Sequence, residues 1–410
     1  MRYLIVAIFL CCIYSCDPYN RNQSHKQIPT DSVATGEVLA KRYCQGCHSF
    51  PEPSLLDVGS WENGVLPNMG PRLGIFSHNW KEYPSMRRDA HLPPGFYPSQ
   101  PLMNQNEWQN IINYYLATAP DSLPAQHRPY PIKNDLDIFS VSEPAITKLS
   151  PTTCFIGIDT TRIPHTILQT DIFRESVMRY DDHLKPVDSL HFSGPVVDID
   201  FHLGSMVATN IGNLNPNNAK LGRLQTVLLN TEGKMVLDTS SAINFLQRPV
   251  QSIRVDLNGD GKPDELVCEF GHLTGALSWY ENLGDNNYSR HVLRPIPGAI
   301  KAYVQDYNHD GLPDLFVLFA QGEEGIFLFT NRGHGQFDQK EILNFPPSYG
   351  STYFEMDDFN HDGFPDILYT CGDNADFSVV LKPYHGVYIF LKRWSLEFQT
   401  TVFFPHQRML

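Results

Sequence analysis

Asp256-Leu257-Asn258-Gly259-Asp260-Gly261-Lys262-Pro263-Asp264 recurs twice with little change. The second copy is Asp306-Tyr307-Asn308-His309-Asp310-Gly311-Leu312-Pro313-Asp314, and the third is Asp358-Phe359-Asn360-His361-Asp362-Gly363-Phe364-Pro365-Asp366. All three read DxNxDGxPD, and their starts at residues 256, 306 and 358 lie 50 and 52 residues apart. A fixed period of that size marks propeller blades or repeat arrays.

The residue types in these loops are those of a hard-cation site. Side-chain oxygens stand at the first, third, fifth and ninth positions, and glycine at the sixth permits a sharp turn. With a backbone carbonyl at the seventh position (Lys262, Leu312, Phe364), each loop carries the donors for one calcium ion, about three ions in all. An EF-hand would continue to a bidentate glutamate at its twelfth position, where this chain has Val267, Val317 and Tyr369. Proline at the eighth position and the β-type runs that follow also oppose an exiting helix. The loops resemble the calcium loops of FG-GAP/VCBS repeats, as in the integrin α-subunit propeller. That resemblance implies a loop joining two strands of one blade. The plain alternative is an Asx-rich turn without metal; three copies with every ligand position filled argue against it.

Upstream, Pro195 to Asn210 is strand-like and holds Asp198 and Asp200 but no complete loop. It reads as a degenerate blade without calcium. Residues 135–410 leave room for five or six blades at ~50 residues each. The chain stops soon after Phe403-Phe404-Pro405, where another blade could begin. Either the ring is small or the chain is a truncated product, and the sequence leaves both open.

Nearer the N-terminus stands a second motif, Cys44-Gln45-Gly46-Cys47-His48. This is the CxxCH pattern of covalent haem attachment. Two thiols at this spacing reach the two vinyl groups of one haem, and the next histidine lies over the iron. A redox dithiol or half of a zinc site would use the CxxC but not the adjacent histidine. Gly36 to Tyr43 runs helically into the motif. Trp108, Ile111, Ile112, Tyr115 and Leu116 form one apolar helix face, opened by an Asn104/Glu107 capping box and stopped by Pro120. Residues 31–120 thereby resemble the class I cytochrome c fold. The resemblance implies N- and C-terminal helices crossing beside the haem, with Gly36 and Tyr115 as candidates for the crossing. It also implies a methionine as sixth ligand to the iron. Met69 is the first choice, Met103 the runner-up and Met86 the third. Met103 could equally be a hydrophobic staple, and core packing is the ordinary use of any methionine. Trp61 is expected near the haem or in the core.

Residues 1–16 read as a signal segment. Arg2 precedes a short apolar run from Leu4 to Ile13, and Ile13-Tyr14-Ser15-Cys16 resembles a bacterial lipobox with Cys16 as the lipidated residue. Such a terminus anchors a chain without spanning the bilayer. The expected location is therefore exported and lipid-anchored to a bacterial membrane, facing the periplasm or cell surface. Residues 17–30 read as a tether and residues 121–134 as a Pro-rich linker. Cys154, Cys268 and Cys371 are too few and too scattered for a disulfide framework.

The expected fold is multi-domain: a small all-α cytochrome c domain at 31–120, then an all-β propeller of ~50-residue blades at 135–410. The whole resembles the haem-bearing FG-GAP/VCBS lipoproteins of environmental bacteria. A formal net charge of −14 over 410 residues opposes generic nucleic-acid binding. Three functions fit. The first is electron transfer to an unidentified redox partner protein, with the propeller docking a protein or glycan. The second is a quinohaemoprotein-like dehydrogenase, although that family's tryptophan-docking repeats and vicinal cysteines are missing. The third is adhesion or scaffolding with a haem sensor. No catalytic residues stand out, and an electron-transfer protein is favoured over an enzyme.

Overall fold

The computed structural model describes residues 28–126, 140, 152–372, 378–392 and 398–405. Cys16, the signal segment and most of the tether and linker lie outside the described residues.

A helical unit comes first. Helix α1 spans Thr30–Cys44 and helix α2 spans Gln105–Thr118. Asn104 caps α2 through the backbone N–H groups of Asn106 and Glu107, and Glu107 returns a bond to the Asn104 N–H at 2.8 Å. The helix ends at Thr118 because Ala119 is extended ahead of Pro120, which disfavours helical geometry in the residue before it. Gly36 sets the crossing with α1. A Cβ there would lie 1.9 Å from the Asn110 carbonyl oxygen and 2.8 Å from the Tyr114 Cβ. Tyr114, rather than Tyr115, is therefore the aromatic at the crossing. Tyr115 turns the other way, bonds the Pro51 carbonyl at 3.0 Å and packs on Trp61 at 4.2 Å. Trp61, Leu66, Ile75, Tyr83, Met103, Trp108 and Ile111 complete one buried core. Side chains of this size contribute about 1.5–3 kcal/mol each when fully buried.

Five four-stranded antiparallel sheets follow, each a meander in chain order. They are the blades of an all-β propeller. Blade 1 runs from Thr153 to His191, blade 2 from Val196 to Leu246 and blade 3 from Pro249 to Arg294. Blade 4 runs from Ala299 to Asn344 and blade 5 from Ser351 to Pro405. The count is five.

Alternation explains the packing. The second strand of blade 4, Asp314–Phe319, is buried along its whole length. Its Leu315, Val317 and Phe319 enter a core shared with blade 3, while Phe316 and Leu318 enter one shared with blade 5. A period of two with both faces covered makes such a strand apolar throughout. Further cores join blades 1 and 2 and blades 2 and 3.

The first strands of neighbouring blades are also stitched by polar side chains. Asp198 accepts from the Ser252 N–H at 3.3 Å and Asp200 from the Arg254 N–H at 2.8 Å, both from blade 2 to blade 3. Gln251 accepts from the Ala302 N–H at 2.6 Å, from blade 3 to blade 4. Asp198 and Asp200 therefore belong to a stitch between blades. Their own hairpin, Val196–His202 to Ser205–Asn210, turns at Leu203 and Gly204 without an aspartate loop.

Candidate functional sites

Each aspartate loop joins the first and second strands of its blade. The second and third copies share one hydrogen-bond pattern, and the first differs in using the fourth-position N–H where they use the fifth. Both oxygens of the first aspartate accept loop N–H groups: Gly259 and Gly261 on Asp256, Asp310 and Gly311 on Asp306, Asp362 and Gly363 on Asp358. Asn258, Asn308 and Asn360 accept from the N–H two residues on. Asp260, Asp310 and Asp362 accept from the N–H of Lys262, Leu312 and Phe364, whose carbonyls are the expected seventh donors. The sixth-position glycines have φ of +83° to +88°, and His309 and His361 at the fourth have φ near +60°. Glycine takes up the left-handed backbone of the sixth position without the steric cost of a Cβ.

The ninth-position aspartates do something the sequence reading did not anticipate. Asp264, Asp314 and Asp366 are fully buried. One oxygen of each accepts the N–H of the second loop residue (Leu257, Tyr307, Phe359), at 3.0 to 3.1 Å. The other accepts an N–H from the third strand (Asn282, Asn331, Lys392), at 2.8 Å. These carboxylates pin the loop to the blade. Asn331 adds bonds to the Pro313 carbonyl and, across to the neighbouring loop, the Leu257 carbonyl. The spacing of Asp and Asn along the chain was the only available signal for this staple. Among the described residues no three His, Cys, Asp or Glu side chains are grouped as a metal site.

The residues around these loops match the model of the FG-GAP-like repeat twice, over 256–317 and 306–369. This chain carries FG-GAP-like repeats. The FG-GAP-like segment thus covers blades 3 to 5 in part, and blades 1 and 2 extend the propeller without it. Among solved structures, the chain is similar to Saccharomyces cerevisiae Sqt1, at 8% identity and TM-score 0.38, covering 58% of each chain. It is also similar to BBS1N in its complex with ARL6DN, at 10% identity and TM-score 0.36, covering 53% of this chain and 58% of that one. The chain thus spans little more than half the length of either structure.

The CxxCH segment closes the C-terminal end of α1. The Cys47 N–H bonds the Cys44 carbonyl at 3.3 Å, so both thiols lie on a single turn. Cys47 is exposed and Cys44 half-buried. The His48 ring places Nδ1 2.8 Å from the Ser49 carbonyl oxygen. That carbonyl fixes Nδ1 as the donor and leaves Nε2 as the nitrogen with a free lone pair. Burial pushes the Cys44 thiol up to about 11, with the nearby Tyr115 hydroxyl acting in the opposite sense.

The candidate methionines lie in different settings. Met69 ends the short helix Leu66–Met69 and is half-buried. Arg72, three residues on, is within electrostatic reach of Cys47. Met103 is buried in the helical core directly before the α2 cap, beside Trp108 in the same core. Met86 has its sulfur 3.8 Å from the Asn218 amide nitrogen of blade 2. Trp61 is fully buried and donates to the Pro53 carbonyl at 2.9 Å.

The helical unit touches one face of the propeller. The Tyr384 hydroxyl donates to the Leu55 carbonyl at 3.0 Å, and the Gln126 amide to the Lys382 and His385 carbonyls. Asn218 donates to Asp89 at 2.7 Å, and Val380 packs on the helical core. These propeller residues sit in connections between second and third strands. In an antiparallel meander such connections emerge on the face opposite the first-to-second connections. The aspartate loops and the CxxCH turn therefore occupy opposite sides of the propeller. No helix among the described residues is long and apolar enough to cross a membrane.

Proposed function

We propose that this chain is a lipid-anchored c-type cytochrome that transfers single electrons, with a calcium-stiffened propeller as the module that docks its partner. The observation that carries the reading is the CxxCH turn. Cys44 and Cys47 share it, and His48 is held through Nδ1 with Nε2 left for a metal. These residues fit a haem better than the alternatives. The histidine directly after the second cysteine completes a haem-attachment motif and has no part in a redox dithiol or half of a zinc site. Haem c bound here would supply a one-electron couple. Cys44 and Cys47 would hold it covalently, His48 would ligate it, and Met69, or else Met103, would close the sixth position. A thioether opposite a histidine favours electron transfer over oxygen chemistry.

For the propeller, the donor set supports about three calcium ions. Carboxylate and amide oxygens with a backbone carbonyl suit a hard cation. A carboxylate oxygen that accepts one N–H keeps a second lone-pair direction, so the backbone bonds of Asp256, Asp306 and Asp358 do not use up their capacity. Cys16 would place the assembly on a bacterial membrane, facing the periplasm or cell surface.

The test is a visible spectrum of protein matured with haem-attachment machinery, oxidised and reduced. A low-spin spectrum with the far-red band of methionine–iron ligation, lost in Met69→Ala and kept in Met103→Ala, is expected. A high-spin, ligand-binding spectrum would overturn the electron-transfer reading.

A further inference from the structure

A cleft of about 400 Å³ opens on the helical unit, lined by His78, Asn79, Trp80, Gln105, Asn106 and Gln109. The cleft is shallow and open to solvent, so a ligand would lie across it rather than be enclosed. Two short strands, Ser77–His78 and Lys81–Glu82, form a hairpin with His78 paired to Lys81. Asn79 and Trp80 are its two turn residues, at φ +47° and +65°. This is the signature of a type I′ turn, whose second central position favours glycine. Here a fully exposed tryptophan occupies it. A bulky residue held in the left-handed region and surrendered to solvent stabilises neither turn nor core, which points to function.

The rest of the cleft is organised around that ring. His78 is nine-tenths buried, with Nδ1 2.6 Å from the Gln105 side-chain amide and Nε2 2.8 Å from that of Gln109. Gln109 also accepts from Asn79 at 3.0 Å and donates to Asn113 at 2.9 Å. The wall is therefore a rigid set of amides beside an aromatic plate. No Lys, Arg, Asp or Glu lines it. The first N–H groups of α2 are taken by Asn104, and Glu107 stands one residue from the wall, so an anion finds no welcome.

We propose that this cleft binds a neutral saccharide. A sugar ring would stack its C–H face on Trp80, and the amides of Asn79, Gln105, Asn106 and Gln109 would pair with its hydroxyls. Amides suit this task because each offers both donor and acceptor, and an indole offers a large rigid surface at little entropic cost. The proposal concerns the helical unit alone and stands whether or not haem is attached.

The test is titration of the holoprotein with cellobiose, maltose and diacetylchitobiose, followed by calorimetry and saturation-transfer NMR. Saturable binding of at least one disaccharide is expected, with magnetisation reaching the sugar C–H protons. Trp80→Gly should weaken it more than tenfold while the melting temperature holds or rises, because glycine suits the left-handed turn. Gln109→Ala should weaken it as well. Failure of all three sugars to bind would overturn the proposal, as would binding that survives Trp80→Gly unchanged.

Discussion

At the residue scale, single atoms decide where elements can meet. Gly36 is the clearest case, since even a methyl group there would strike the Asn110 carbonyl. Gly36→Ala should force α1 and α2 apart and cost about 1–3 kcal/mol, read as earlier denaturant unfolding of the helical unit. Asp314 is a second case. Alanine there leaves the N–H groups of Tyr307 and Asn331 without their acceptor inside the blade. Each orphaned buried group costs about 1–3 kcal/mol. Asp314→Ala should therefore lower propeller stability by on the order of 3 kcal/mol. Asp314→Asn, which keeps one oxygen acceptor, should lose less. Equal losses for the two variants would show that the staple is not the source.

At the element scale, the seam between blades 4 and 5 holds an acid inside an apolar wall. Glu324 accepts from the Ser351 N–H at 3.0 Å and the Ser351 hydroxyl at 2.7 Å, and that hydroxyl bonds Tyr369. Burial pushes the Glu324 carboxyl up to about 7, against these bonds. The folded chain thus holds a proton that the unfolded chain, with a glutamate near ~4.3, has released. Stability from this group is present at low pH and is lost as pH rises through about 7. Glu324→Gln should flatten the fall in melting temperature between mildly acidic and neutral pH. An unchanged slope in the variant would place the pH dependence elsewhere. The aspartate loops make a separate prediction at this scale. Chelation should lower the melting temperature of the propeller by more than that of the helical unit, because every proposed calcium ligand belongs to blades 3 to 5. Identical melting with and without chelator would contradict the calcium assignment.

At the scale of the whole molecule, the parts were unequally legible in the sequence. The repeats were readable because DxNxDGxPD is local chemistry: the backbone N–H groups accepted by the first, third and fifth side chains all lie within five positions. The capping box of α2 was readable for the same reason. Blade 1 was not, since Thr153 to His191 has no aspartate loop and its strands are fixed by burial against blade 2. The crossing aromatic was placed one residue off, because Tyr114 and Tyr115 are both buried and only the Gly36 contact tells them apart. The docking of the two units was also hidden. It rests on isolated residues such as Asn218, Gln126 and Tyr384, whose partners lie more than 100 positions away. Tyr384→Phe keeps the ring stacked on Tyr349 at 4.6 Å but removes the bonds to Leu55 and Ser348. It should cost about 1 kcal/mol and loosen the coupling between the two melting transitions.

The account as a whole depends on Cys44 and Cys47 holding a haem. The most direct measurement is the intact mass of the purified chain after expression with haem-attachment machinery and acid–acetone extraction. The account predicts a chain heavier by one haem that stays coloured through extraction. The Cys44→Ser, Cys47→Ser double variant should be colourless and carry no added mass. A wild-type chain without the added mass, or one that surrenders all its colour to the solvent, would contradict it.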